Sequence, residues 1–182
     1  MMISSERAQN VIVSFVIIAA VVSSVLLISN GQYYSGSYLL AGRMEVSLEE
    51  LVVSDIDPEN ASIYPVISMT FNFHTDSPIE GDVRLTYIEA ALWLNNDRLS
   101  YTVFNGYLNN DATRVLHPGY DRNFTLATRL NSNTDRNSVF DADGNDTWNW
   151  YIRFGYSFIT FNEARSSVTR TLYFNWTATT II

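Results

Sequence analysis

The run Val11 to Ser29, VIVSFVIIAAVVSSVLLIS, constrains this chain more than any other segment. Its nineteen residues include no charge, no glycine and no proline. As a helix rising about 1.5 Å per residue it spans about 28 Å, close to the hydrocarbon thickness of a bilayer. Its serines can bond to carbonyls one turn back, so they do not oppose insertion. Asn30-Gly31 follows and predicts the end of the helix. The expected organisation is a short tail over 1–10, a transmembrane helix over 11–29, a linker over 30–42 and one domain over 43–182. The lipid bilayer is the partner that residues 11–29 imply.

Charge suggests the orientation. Arg7 and the amino terminus lie on the short side, and no basic residue follows the apolar run until Arg43. That places the amino terminus in the cytoplasm and the domain outside, as a single-pass protein of the cell membrane. A cleavable signal peptide usually has a shorter apolar core, and Ser29-Asn30-Gly31 is a poor cleavage site, so an uncleaved anchor is favoured. Tyr33 and Tyr34 lie just past the run, where aromatic rings favour the membrane interface.

The remaining chain alternates with a period of two, which predicts strands. Ile67, Met69, Phe71 and Phe73 alternate with Ser68, Thr70, Asn72 and His74. Val83 to Leu94 changes parity near Tyr87, and Met44 to Val53 changes parity around Glu49-Glu50; each switch predicts a bulge. Asn95-Asn96-Asp97 reads as a turn into a strand over Leu99 to Phe104, and His117-Pro118-Gly119 as a second turn. Phe124, Leu126 and Leu130 share a face. Trp148, Trp150, Ile152, Phe154, Tyr156 and Phe158 form an apolar row, answered by Val168, Leu172, Phe174 and Trp176 across a connection at Asn162-Glu163-Ala164-Arg165. Thr134 to Val139 suits one helical turn. The expected fold is mainly β: a seven-stranded antiparallel β-sandwich, immunoglobulin-like, behind one transmembrane helix.

From Val46 onward the strand order resembles the LEA-2 type, also called the WHy domain. The likeness is carried by MEVSLEELVVSDI, then ISMTFNFHTDSPIEGDVRLTYIEAALWLNND, then RLSYTVFNG, the pair Pro118-Gly119 before YDRNFTLATRL, and the closing NWYIRFGYSFITF and RTLYFNW. Asp76-Ser77-Pro78 stands where that family has an Asn-Pro-like turn. The resemblance implies a seven-stranded sandwich without a catalytic centre, often carried behind one membrane helix. A second resemblance rests on Arg7-Ala8-Gln9 before the apolar run, which is similar to the processing site of archaeal type IV pilin-like proteins. It implies cleavage after Ala8 and a helix that packs in a filament.

Chemistry is sparse. Net charge is −8, all eleven basic residues are arginine, and they are scattered, which argues against nucleic acid as a partner. There are no cysteines, and the two histidines, His74 and His117, are far apart in sequence and read as solvated side chains, so a zinc or iron site is not expected. No nucleophile elbow or phosphate loop occurs. No catalytic and no cofactor-binding residue is assigned. The sharpest cluster of acidic and amide side chains is Asp141, Asp143, Asn145 and Asp146 around Gly144. They read first as an acidic turn, with calcium as the ligand such oxygens would take. Glycine falls at the fourth position of that loop and Ile152 at the twelfth, so it is not an EF-hand. Four Asn-x-Ser/Thr sequons begin at Asn60, Asn123, Asn145 and Asn175, all at positions expected to be exposed, and are glycosylation candidates. The chain therefore reads as a non-catalytic binding or structural module at the cell surface, with an unidentified protein or surface partner. The alternative is a pilin-like or filament-associated subunit.

Overall fold

A computed structural model describes residues 6–60, 62–161 and 168–182. The element order is α1 (Glu6–Gly42), β1 (Met44–Ser54), β2 (Val66–Thr75), β3 (Val83–Leu94), β4 (Asp97–Arg98), β5 (Phe104–Tyr107), α2 (Asp111–Arg114), β6 (Asp121–Arg129), α3 (Asn133–Gly144), β7 (Trp150–Thr160), β8 (Val168–Trp176) and β9 (Thr179–Ile181). One sheet has the order β6-β2-β1-β9 and the other β4-β3-β7-β8, with β5 also paired to β3. The fold is a β-sandwich preceded by one apolar helix.

The alternation read from the sequence closes the sandwich. β2 buries Ile67, Met69, Phe71 and Phe73, and β7 buries Trp150, Ile152, Phe154, Tyr156 and Phe158. Phe71 stacks on Phe154 with ring centroids 3.9 Å apart, and Phe73 meets Tyr156 edge-on at 5.4 Å. These cross-sheet ring pairs join the two layers. Both expected bulges are present. The β1–β2 register shifts between Leu48 and Glu50, and the β3–β7 register shifts between Leu85 and Tyr87. Asn95 and Asn96, with φ of 51° and 74°, form the two-residue turn between β3 and β4. Such a turn needs positive φ at both positions, which asparagine tolerates.

The structure corrects five expectations. First, the helix does not end at Asn30-Gly31. It continues to Gly42, so residues 30–42 are helix and not an extended linker. An internal glycine costs only about 1 kcal/mol. The last turn recovers that by packing Leu40 and Ala41 into the sandwich core. Second, Leu99 to Phe104 is not one strand. Only Phe104 joins a strand, because the backbone at Tyr101 bonds to Asp135 of α3 and not to a neighbouring strand. Third, the 134–139 turn is a full helix of twelve residues, capped by Ser132, whose Oγ accepts from the Asp135 amide. Fourth, the ladder is not wholly antiparallel. β9 lies parallel to β1, with Leu51 opposite Thr179. After β8 the chain keeps its direction and only changes sheet, so it arrives parallel to β1. Fifth, nine strands rather than seven occur among the described residues. The Asn162–Arg165 connection lies outside the described residues.

The topology gives the sandwich two poles. α1 joins at the pole where β1 and β3 begin and β2 and β7 end. The opposite pole holds loop residues 55–60 and 62–65, the 95–96 turn and α3 between β6 and β7.

Candidate functional site

α1 has two halves that differ in every physical respect. Over Val11 to Ile28 its large apolar side chains are 51–73% exposed, and they occur on all sides of the helix. Ser24 donates to the Ala20 carbonyl at 2.8 Å, which satisfies its hydroxyl within the helix. This helix is long and apolar enough to cross a membrane, and its apolar window has no burial against the sandwich.

The other half is built into the domain. Ser37 and Leu40 are fully buried, and Ala41 nearly so. Ser37 Oγ accepts from the Asp82 amide at 2.8 Å and donates to the Tyr33 carbonyl at 3.1 Å. Thr75 Oγ1 donates to the Leu40 carbonyl at 3.3 Å. Two glycines face each other here. A Cβ on Gly36 would lie 1.8 Å from the Glu80 carbonyl oxygen, and one on Gly81 would lie 2.3 Å from the Ser37 nitrogen. Backbone meets backbone, and no larger residue fits either position without moving the helix from the β2–β3 loop. Tyr34 packs on Phe161 with ring centroids 4.6 Å apart, and Tyr33 on the same ring at 6.0 Å.

The expected metal candidates sit at the far pole. Asp141 and Asp143 are in the last turns of α3, Asn145 is its C-cap, and Asp146 follows with φ 49°. The segment is a helix end and not the loop that the acids suggested. The Asn145 amide group donates to the Asp141 carbonyl at 2.7 Å. Among the described residues no three His, Asp or Glu side chains gather as cation ligands. The sequon asparagines Asn60, Asn123, Asn145 and Asn175 are all exposed. Asn123 Oδ1 accepts from Asn72 at 2.8 Å across the β2–β6 pair. His117 is exposed and its Nδ1 lies 3.0 Å from the Pro118 carbonyl, while His74 is half-buried on β2; the two do not share a site.

Sequence reasoning missed three features. The first is the Gly36–Gly81 contact, for which a glycine inside a helical run is the available signal. The second is Asp135, buried at 1% exposure, whose Oδ2 accepts from Thr102 Oγ1 at 2.8 Å and from the Tyr101 amide at 3.2 Å. The third is an aromatic row on the outer face of the second sheet, Trp93 to Tyr151 at 5.3 Å and Tyr151 to Tyr173 at 5.9 Å. Buried tyrosines stand apart from these. Burial raises the Tyr120 and Tyr156 hydroxyls above the ordinary phenol range, and Arg170 partly offsets this for Tyr156.

No family model matches the chain, and no curated protein matches it. Solved structures resemble it in outline. A target of the Northeast Structural Genomics Consortium is similar at a TM-score of 0.48 and 14% identity, over 76% of this chain and 89% of that one. A protein from Archaeoglobus fulgidus gives a TM-score of 0.41 at 9% identity, over 74% and 94%. A protein described as late embryogenesis abundant (LEA), solved in solution, gives 0.31 at 13% identity, over 89% and 86%. Scores and identities this low assign no family, so function is argued from the residues of this chain.

Proposed function

We propose that this protein is a membrane-tethered β-sandwich. In this reading residues 1–10 form the inner tail, the Val11–Ser29 run spans the bilayer, and the sandwich lies outside the cytoplasm at the cell surface. The sandwich acts there as a non-catalytic binding or structural module of LEA-2-like type, without a cofactor. One observation carries the tether. Fifteen apolar residues of the nineteen-residue run are exposed around the whole helix, on a chain that also packs a large apolar core. A surface of that size needs a non-aqueous cover. The LEA-2-like character rests on the order of strands and turns. Outside the cytoplasm, the four exposed sequon asparagines are available for glycans, which mass spectrometry of the native protein would detect.

Alkaline extraction tests the tether. The full chain should stay with the membrane pellet, and a chain beginning at Gln32 should move to the soluble fraction. A full-length protein that is soluble and monomeric without detergent would defeat the reading.

A second reading has its own observation. α1 is unbroken over 37 residues and its last turn is part of the sandwich core, so helix and head form one piece. A filament subunit whose helices bundle would use that construction. Sequencing the mature amino terminus separates the two. A chain beginning at Gln9 supports the filament, and one that retains Arg7 supports the anchor.

A further inference from the structure

We infer that the helix-end pole of the sandwich is itself a membrane-contact surface, with Tyr34, Ile79 and Phe161 held in the lipid headgroup layer by the Gly36–Gly81 contact. The inference rests on the tether reading above and adds which face of the domain meets lipid and what fixes it there.

Distance along α1 sets the height. Tyr33 and Tyr34 follow Ser29 by four and five residues, about 6–8 Å along the helix, which is the depth of the headgroup layer. Gly36 and Ser37 follow at about 10–12 Å. The sandwich is therefore joined to the helix immediately above the lipid, with no flexible spacer between them. The facing glycines and the Ser37–Asp82 hydrogen bond fix the angle of the domain to the helix. Phe161 packs on Tyr34, so its ring lies at the same height as a residue that the span holds at the interface.

Phe161 gives an independent observation. It follows β7 with φ 56°, a left-handed backbone that bulky residues rarely adopt. Its amide donates to the Asp82 carbonyl at 3.1 Å, so the backbone turns into the junction and the ring is directed to the tyrosines. Tyr33, Tyr34 and Ile79 are 45%, 54% and 38% exposed, which leaves an aromatic and apolar rim for the interface. Charge does not supply the attraction. Arg43 pairs with Asp76 at 3.7 Å and Arg84 with Asp82 at 3.4 Å, and Glu80 beside them is acidic. Contact should therefore form on zwitterionic lipid and need no anionic headgroup.

The absence of cysteine makes a labelling test clean. Ile79→Cys at the junction pole and Glu59→Cys in the loop at the opposite pole are each labelled with an environment-sensitive fluorophore. The full chain is reconstituted in phosphatidylcholine vesicles carrying a headgroup nitroxide lipid. The label at 79 should be quenched by the nitroxide several-fold more than the label at 59, and shielded from aqueous iodide to a similar degree. Adding Gly36→Val, which drives the helix away from Glu80, should lower the quenching at 79 toward the value at 59 while flotation with vesicles is unchanged. The comparison of 79 with 59 stands without that variant if it does not fold. Equal exposure of 79 and 59 in protein that floats would overturn the contact and leave the tether intact. Quenching that appears only with phosphatidylglycerol would overturn its aromatic basis. Protein that does not float would remove the tether and this inference together.

Discussion

Asp135 shows how one side chain can set the course of a distant loop. Its carboxylate is buried at 1% exposure beneath the 99–103 segment and accepts from both Tyr101 and Thr102. Asp135→Ala strands the buried Thr102 hydroxyl and removes the acceptor of the partly buried Tyr101 amide, so it should cost about 1–3 kcal/mol, read from the urea midpoint at unchanged slope. Its burial was hidden in the polar run Asn131 to Ser138, although Ser132 three residues before it is a recognisable N-cap spacing. Tyr120 makes a second such tie, donating from its buried hydroxyl to the Thr113 carbonyl. Its pKa is raised by burial in the folded protein. Above the free phenol value of about 10, the unfolded chain loses the proton while the folded one keeps it. Fewer protons on the unfolded state mean that stability falls as pH rises, and that the Tyr120 contribution is complete below about pH 10. Tyr156 acts in the same direction. Denaturation should therefore set in on the alkaline side of pH 10 together with tyrosinate absorbance, and Tyr120→Phe should flatten that decline. A midpoint independent of pH between 9 and 11 would contradict the burial argument.

At the scale of elements, strands with one buried face were legible. The Trp148–Phe158 row and the Ile67–Phe73 row are buried as their alternation requires, and the two parity switches mark real bulges. What the sequence concealed was decided by tertiary contact. Nothing local in Gln32 to Gly42 says that helix will persist past Gly31. Its reason lies in Thr75, Glu80 and Gly81, more than thirty residues away. A consequence follows for truncation. A chain beginning at Gln32 keeps the last turns of α1 and should fold with a cooperative β-type transition. A chain beginning at Gly42 loses the fully buried Leu40 and should be less stable by about 2–5 kcal/mol, as when a large core side chain is removed. Equal stability of the two chains would mean that the docked turn contributes nothing.

For the whole molecule, composition and one apolar run pointed to a β-domain behind an apolar helix, and the sandwich with its exposed N-terminal helix has that construction. The acids at 141–146 read as a turn but close a helix, because spacing alone does not distinguish a loop from a helix end. The junction left only a weak signal, the glycine at 36, which carries no pattern until its neighbour Gly81 is known. The central proposal, a sandwich held outside the membrane by α1, depends on which side the domain occupies. Protease added to intact cells or right-side-out vesicles tests this most directly. Because residues 30–42 are helical and docked, the linker offers no ready cut, and digestion should begin in the exposed loops of the sandwich itself. The account predicts loss of the sandwich while a cytoplasmic marker survives. Full protection until the membrane is lysed would place the sandwich in the cytoplasm and contradict it.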